Sequence, residues 1–116
     1  KKLSETAKAV VVITGKQDVV VNKDDTYLIN NGHELMGAVV GTGCMAASII
    51  GAFVAVEKDK AKAAAYAIGC YGIAGELAGK KDKGTGSFEE NFYDEIFNLN
   101  EKKIKKNLKV EKQAKL

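Results

Sequence analysis

The sequence contains no arginine, although 18 of its 116 residues are basic and the formal net charge is +3. Every basic residue is a lysine. Proteins that read nucleic acids rely on arginine for bidentate contacts to bases and phosphates. No aromatic residues are interleaved with a basic stripe either, so the composition argues against a nucleic-acid partner.

Cysteine is also scarce, and no stretch of the given sequence has the charged, apolar and small-residue order of a secretory signal. The two cysteines, Cys44 and Cys70, lie in small-residue helical sequence without the pattern of a disulfide scaffold, which favours a reducing compartment. The longest apolar run, residues 39–56, contains Thr42 and Ser48 and is at the short limit for a membrane span. We therefore predict a soluble, cytoplasmic protein with no membrane partner.

An initiator methionine is absent, and the first residues resemble the tail of a helix that runs into a strand. A length of 116 residues allows one domain at most. We therefore expect the chain to be a fragment of a longer protein.

The first half of the chain predicts strands followed by an apolar helix. The continuous β-branched run at residues 9–15 is typical of a parallel strand buried on both faces. Residues 19–21 and 26–29 predict a hairpin around the turn Asn-Lys-Asp-Asp. Residues 42–56 predict a helix with no face left for water, which must be buried.

The second half predicts two further helices and a tail. Residues 58–83 predict one helix whose recurring glycines leave a groove for a close neighbour. We expect the helix at 42–56 to lie between this groove and the sheet. The groove glycines are Gly69, Gly72, Gly75 and Gly79. Residues 84–100 predict a third helix, with Ser87 as N-cap and Glu90 completing a capping box.

That third helix carries its large apolar residues on one stripe, Phe88, Phe92, Ile96 and Leu99.

Domain boundaries follow from these patterns. Residues 1–100 are expected to form the folded part, and residues 101–116, in which lysine occurs on nearly all sides, a solvated or frayed tail.

The cluster Gly-Thr-Gly-Cys at residues 41–44 precedes the apolar helix and could belong to several kinds of site. It satisfies a dinucleotide fingerprint, G-x-G-x-x-G/A, but a second helix follows where that motif requires a strand ending in an acidic residue. A Walker A loop is excluded because no Gly-Lys-Ser/Thr is present.

Two interpretations of the cluster remain alongside a purely structural one. Cys44, in the first turn of a helix, could be an activated thiol with His33 as its partner, or simply a small residue at a crowded helix start. Alternatively, the free N–H groups at residues 41–44 could form an anion hole around a phosphoryl group, which is a kinase site. His33 is expected to be a turn or surface residue, and Thr14 could merely end a strand.

Four motifs in order resemble the hydroxyethylthiazole kinase family of the ribokinase-like fold, in its C-terminal half. They are "VVVITGKQDVV", "NNGHELM" followed by "GTGCMAASIIGAF", "AAAYAIGCYGIAGELA" and "GTGSF". The resemblance covers residues 9 to 98. It implies a three-layer α/β/α architecture, of which this chain has a few strands and three main helices.

The resemblance also implies an activity, phosphorylation of the hydroxyl of 4-methyl-5-(2-hydroxyethyl)thiazole with ATP and Mg²⁺. Thr14 and Gly15 match nucleotide-contacting positions, and Gly41 matches the position whose backbone contacts the thiazole alcohol. Thr42, Gly43 and Cys44 match the catalytic helix start, and Gly43 also faces the nucleotide. Cys44 is expected to position the alcohol or act as a weak base.

The sequence departs from the family pattern at two positions. Val40 replaces a threonine that is common before Gly41, and Thr85 replaces the proline of Gly-Pro-Gly-Ser-Phe. The family's magnesium-binding acidic residues and an ATP-contacting arginine lie in the N-terminal half, so no metal ligand is assigned here. The resemblance further implies a homotrimer for the complete enzyme. The alternative is a non-catalytic piece that supplies a nucleotide-binding surface.

Overall fold

Among the described residues, four strands form one antiparallel sheet beside a group of helices. The computed structural model describes residues 1–81 and 83–114. The strands are β1 (Val11–Ile13), β2 (Asp18–Val21), β3 (Thr26–Ile29) and β4 (Val110–Lys112), in that order across the sheet. The helices are α1 (Lys2–Ala7), α2 (Thr42–Val56), α3 (Lys60–Gly79), α4 (Thr85–Phe97) and α5 (Glu101–Asn107), and a 3₁₀ turn spans Glu34–Gly37. The predicted α/β class is confirmed.

The prediction of a parallel, doubly buried strand at residues 9–15 is wrong. β1 pairs antiparallel with β2, with Val12 opposite Val20, and is the first of the four described strands across the sheet. Ile13 is 58% exposed. A β-branched run indicates a strand but not its direction. Here the short connection at residues 14–17 decides the direction, because parallel strands need a long crossover.

The predicted hairpin of β2 and β3 is confirmed. Asp18 lies opposite Ile29 and Val21 opposite Thr26. The turn closes because the Asn22 side-chain oxygen accepts hydrogen bonds from the backbone N–H groups of Asp24 and Asp25, at 2.9 and 2.6 Å. Asparagine favours turns for this reason.

The central buried helix is α3, and not α2. One side of α3 packs against β2 and β3, and α2 and α4 pack against its other sides. The predicted bounds of α2 are confirmed, but Ala46 is its only buried residue and Val56 is 88% exposed. Apolar composition shows that a helix tends to be covered, but not which part of a protein covers it. Within the described residues, no helix is long and apolar enough to cross a membrane.

The glycine groove of α3 exists, but α2 does not fill it. A Cβ atom on Gly72 would lie 2.6 Å from the backbone carbonyl carbon and oxygen of Asn31, and one on Gly69 would lie 2.6 Å from Leu108 Cδ1. Cβ atoms on the remaining two glycines would collide with the side chains of Met36 (at Gly75) and His33 (at Gly79). The groove therefore receives the segment after β3 and the chain near β4.

The start of α4 also differs from the prediction. The N-cap is Gly84, and Ser87 lies inside the first turn. The Ser87 hydroxyl oxygen accepts a hydrogen bond from the Lys83 N–H at 2.8 Å and donates to the Gly84 carbonyl at 3.2 Å. The capping box of Ser87 with Glu90 is therefore wrong, because the helix begins before the residue predicted to cap it.

The apolar stripe of α4 is confirmed where it meets the core. Phe88 and Phe92 are fully buried, and their rings stack with centroids 5.6 Å apart. Ile96 and Leu99 are half-buried.

The prediction of a solvated or frayed tail is wrong for residues 101–112. The Asn100 side chain caps α5 by accepting a hydrogen bond from the Lys103 N–H at 2.9 Å. β4 then completes the sheet, with Leu28 opposite Glu111. The high lysine content obscured this because few apolar residues are needed for a helix of seven residues and a strand of three. The last two residues of the predicted tail, Lys115 and Leu116, lie outside the described residues.

Candidate functional site

A cavity of about 730 Å³ opens between one end of the sheet and the start of α2. Its walls are the loop from β1 to β2, the segment at residues 31–37 after β3, the first turns of α2, and one face of α3. The predicted site residues Thr14, Gly15, Thr42 and Gly43 all line it. Two predicted nucleotide positions from the strand end and two predicted catalytic positions from the helix start therefore share one space.

The loop from β1 to β2 is held by a hydrogen bond across its turn. The Gly15 N–H donates to Asp18 Oδ1 at 2.9 Å, and Thr14, Lys16 and Asp18 line the cavity with Gly15. Partial burial raises the pKa of the Asp18 carboxyl, although the hydrogen bond from Gly15 opposes this shift. The turn therefore places Thr14 and Lys16 in the lining of the cavity.

The start of α2 offers unpaired backbone donors. Gly41 is the N-cap with φ 91°, a conformation that favours glycine, and no described side chain caps the helix there. The first helical bond of the backbone runs from the Met45 N–H to the Gly41 carbonyl. A Cβ atom on Gly43 would meet nothing within 4 Å, so the space beside this turn is open. N–H groups in this position attract anions.

Two hydroxyl groups fix this turn to its neighbours. Thr42 Oγ1 donates to the Met36 carbonyl at 2.8 Å, and the Tyr71 hydroxyl donates to the Thr42 carbonyl at 2.6 Å. Burial raises the pKa of Tyr71 to about 12, so this phenol stays protonated and remains a donor at neutral pH. The Thr42 hydroxyl proton is thus used by the fold, and its catalytic assignment stays a prediction.

Cys44 and His33 are not arranged as a thiol and its base. Cys44 is exposed and does not line the cavity, whereas His33 does. His33 Nδ1 accepts a hydrogen bond from the Leu35 N–H at 3.2 Å, and its ring stacks on Phe88 with centroids 5.6 Å apart. No hydrogen bond among the described residues joins Cys44 to His33. The imidazole therefore caps the 3₁₀ turn that follows β3.

Gly41 and Cys44 flank the cavity without lining it. Their proposed contacts to an alcohol therefore stay predictions. The sequence interpretation did not single out Asp18, Asn31 or Tyr71, which all line the cavity. Asp18 carries a weak signal in hindsight, since aspartate side chains can hydrogen-bond backbone groups three residues earlier in the chain. Tyr71 lies within the apolar sequence of α3, and no sequence signal marks it as part of the site.

Comparisons with known proteins all point to one family. Residues 1–102 match the model of the hydroxyethylthiazole kinase family. Over 111 residues the chain is 51% identical to "Hydroxyethylthiazole kinase" of Methanosarcina mazei, covering 96% of this chain and 42% of that protein. It is 50% identical to the same-named protein of Methanosarcina acetivorans over 105 residues, covering 90% of this chain and 40% of that protein.

A solved structure extends the likeness to three dimensions. The structure of hydroxyethylthiazole kinase protein from Pyrococcus horikoshii OT3 is 41% identical, with a TM-score of 0.86 over 98% of this chain and 46% of that one. The chain thus spans about two fifths of the length of the curated relatives it matches. From its sequence and its fold, the chain belongs to the hydroxyethylthiazole kinase family.

Proposed function

We propose that this protein supplies the phosphate-binding side of a site that phosphorylates the hydroxyl of 4-methyl-5-(2-hydroxyethyl)thiazole with ATP, in thiamin biosynthesis or salvage. The observation that carries the proposal is the shared cavity of Thr14, Gly15, Thr42 and Gly43. Family membership supports the reaction, because both curated relatives carry the name hydroxyethylthiazole kinase. The chain spans less than half of each relative, so the remaining groups of the site are not assigned to it.

The phosphates of ATP would lie between the start of α2 and the loop at residues 14–18. The N–H groups of Thr42, Gly43 and Cys44 lie at the N-terminus of α2 and form the positive end of its helix dipole. Lys16 lines the same cavity and adds a full positive charge. Donors already held in place need not reorient as charge develops on the transferred group, which is how such sites accelerate phosphoryl transfer.

The acceptor alcohol would approach from the Gly41 side. In our assignment the Gly41 backbone holds the alcohol and Cys44 positions it or acts as a weak base. Little deprotonation is needed before a loose transition state, so the thiol matters less than the backbone donors. The γ-phosphorus bonds to the alcohol oxygen as its bond to the leaving oxygen of ADP breaks.

Magnesium belongs to the proposal as a partner of ATP, but this chain's described residues do not fit a site for it. They contain no group of three or more histidine, cysteine, aspartate or glutamate side chains that could hold a metal ion. The proposal therefore assigns no residue here to Mg²⁺, and no step is built on it.

We also propose that the complete enzyme is a cytoplasmic homotrimer whose ligands are ATP and the thiazole alcohol, with no nucleic-acid or membrane partner. The mild charge of +3 and the lysine-only set of basic residues support a small-molecule role. The trimer rests on the family resemblance. Sedimentation of the complete enzyme tests it.

ATP titration calorimetry tests the phosphate site. The chain should bind ATP weakly, and Thr14→Ala combined with Gly43→Val should abolish binding, since a β-branched side chain would enter the open space beside Gly43. Gly51→Val is the matched control, because a Cβ atom there also meets nothing within 4 Å but lies outside the cavity. Equal ATP affinity in the wild type and the double variant would contradict the phosphate site.

A second experiment separates the kinase from its alternatives. In the complete enzyme, Cys44→Asp should keep or raise phosphorylation of the thiazole alcohol, because a carboxylate can accept the proton. A covalent thiol mechanism predicts loss of turnover, since aspartate cannot replace the nucleophilic sulfur. A non-catalytic nucleotide-binding piece predicts ATP affinity without turnover in either form. Loss of turnover in folded Cys44→Asp would count against the kinase assignment.

A further inference from the structure

The Glu76 carboxylate gathers three donors on one oxygen atom. Glu76 Oε1 accepts hydrogen bonds from Asn31 Nδ2 and from the Gly32 N–H, both at 3.1 Å, and pairs with Lys109 Nζ at 3.3 Å. The Glu76 side chain is 17% exposed. Each partner is a donor, so this oxygen acts as the acceptor for all three.

Asn31, which is 4% exposed, uses both ends of its amide in the same network. Its Nδ2 also donates to the Asn107 carbonyl at 2.8 Å, and its Oδ1 accepts from the Lys109 N–H at 2.7 Å. The Asn31 backbone lies against Gly72 of α3, where no larger residue fits. The end of β3 is thus tied to α3 and to the chain between α5 and β4.

The tied residues form a wall of the cavity. Asn31 and Gly32 line it, and the segment continues through the 3₁₀ turn to Met36. The Met36 carbonyl receives the Thr42 hydroxyl, which belongs to the first turn of α2. A line of hydrogen bonds and covalent links therefore runs from Glu76 to the helix start where phosphate is proposed to bind.

We propose that Glu76 is a positioning residue for this site, which it serves through Gly32 and the segment at residues 31–37 and not by touching the nucleotide. Glu76 does not line the cavity, so it acts indirectly, through its hydrogen bonds to Asn31 and Gly32. The start of α2 is then held by α3 at two points, because Tyr71, which also belongs to α3, donates a hydrogen bond to the Thr42 carbonyl. This inference rests on the proposed function only in its effect on ATP affinity.

The test compares Glu76→Ala with Glu76→Gln in the 116-residue chain, by amide hydrogen exchange of residues 31–37 and by ATP titration. Glu76→Ala should speed exchange at Gly32 and weaken ATP binding, each by roughly tenfold, the loss expected for a hydrogen bond to a charged group. Glu76→Gln keeps an acceptor oxygen and should restore most of both. Glu95→Gln is the control for a general loss of stability, since Glu95 binds Lys81 and Lys103 instead.

The outcomes separate this inference from the proposed function. Unchanged exchange at Gly32 in Glu76→Ala overturns the positioning role, whatever happens to ATP. Faster exchange with unchanged ATP affinity also overturns it, because the wall would then not matter to the ligand. If the wild type binds no ATP, the proposed function fails. The exchange comparison then supports the structural role of Glu76 only if Glu76→Gln restores protection.

Should Glu76→Ala not fold, Glu76→Gln and Lys109→Met provide the comparison. Lys109→Met removes only the ammonium partner, which is largely exposed, and should leave exchange at Gly32 within about threefold of the wild type. A larger increase would mean that the ion pair, and not the hydrogen bond to Gly32, holds the wall, and this would overturn the inference.

Discussion

The Tyr71 hydroxyl donates a 2.6 Å hydrogen bond to the Thr42 carbonyl and so joins the buried helix α3 to the first turn of α2. Tyr71 is 4% exposed, and its ring packs against that of Phe92 in a tilted arrangement, with centroids 5.0 Å apart and an interplanar angle of 58°. The ring belongs to the core, whereas the hydroxyl reaches the cavity. One residue therefore couples core packing to the position of the candidate phosphate site.

Tyr71→Phe should keep the ring packing and lose this hydrogen bond. We expect a loss of about 1 kcal/mol in the free energy of unfolding, measured by urea denaturation, together with weaker ATP binding. Tyr66→Phe is the matched control on the same helix, because the Tyr66 hydroxyl makes no hydrogen bond to another described residue and the ring is 37% exposed. Equal stability of the two variants would contradict a role for the Tyr71 hydroxyl.

Gly72→Ala should destabilise the protein, whereas Gly51→Ala should stabilise it. The added methyl group at residue 72 would lie 2.6 Å from the Asn31 carbonyl, and relieving this overlap should cost roughly 1 to 3 kcal/mol. At residue 51 the methyl group meets nothing within 4 Å, so alanine should gain about 0.5 to 1 kcal/mol in a helix interior. Thermal melts of both variants give the comparison, and a shift of the same sign in both would refute it.

Phe92→Ala should destabilise the protein far more than truncation of an exposed residue of α4. Phe92 is fully buried between Phe88 and Tyr71, and removing such a ring costs about 3 to 5 kcal/mol. Phe97→Ala, on the same helix, should leave unfolding nearly unchanged because Phe97 is 88% exposed. Chemical denaturation of the two variants measures the difference, and a similar loss in both would mean that the core does not centre on Phe92.

The Glu95 ion pairs predict a pH-dependent stability. The hydrogen bonds and charges of Lys103 and Lys81 hold the pKa of the Glu95 carboxyl below its ordinary 4.5, although the side chain is 6% exposed and its burial alone would raise the pKa. A lowered folded-state pKa stabilises the protein above the unfolded value, and this stabilisation disappears as pH falls through the folded-state pKa.

Glu95→Gln should therefore cost roughly 1 to 3 kcal/mol near neutral pH, and the difference from wild type should shrink as pH falls below about 4.5. Urea unfolding over this pH range measures it. Glu101→Gln is the control, because the Glu101–Lys105 pair is exposed on both sides, at 79% and 74%, and should contribute nothing measurable. A Glu95→Gln deficit that stays constant with pH would be incompatible with the ion pairs.

The two thiols should differ in reactivity. Cys44 is exposed, whereas burial of Cys70 raises the pKa of its thiol and shields it from reagents. A thiol reagent should modify one cysteine of the native protein rapidly and the second only on unfolding, and Cys44→Ser should remove the fast phase. A fast phase that survives in Cys44→Ser would place Cys70 at the surface.

Short-range sequence patterns predicted a helix or strand best where neighbouring residues alone determine its bounds. β3 and α2 have the predicted bounds, because a short strand next to a turn and an apolar helix after glycine are both local signals. The family resemblance is confirmed, and four of the predicted site residues share the cavity. Thr14 and Gly43, far apart in sequence, could be paired only through that resemblance.

What the sequence did not reveal depends on contacts between distant residues. The direction of β1 depends on its partner, and the burial of α2 depends on what lies beside it. The network of Asn31, Glu76 and Lys109 joins residues that are up to 78 positions apart, which no local pattern indicates. The sequence did not predict β4, because a short strand with one neighbour among the described strands needs little apolar surface.

The pairing of β4 with β3 has a consequence for synthesis of the chain on the ribosome. Until residues 108–112 leave the exit tunnel, the outer edge of β3 and the groove of α3 at Gly69 have no partner. β3 must therefore wait for residues 110–112, which lie far along the chain, before it gains this neighbour. Such a long-range closure slows folding and exposes a strand edge to other chains in the meantime. Nascent chains held on the ribosome before residue 108 should be protease-sensitive around β3, and release should remove that sensitivity.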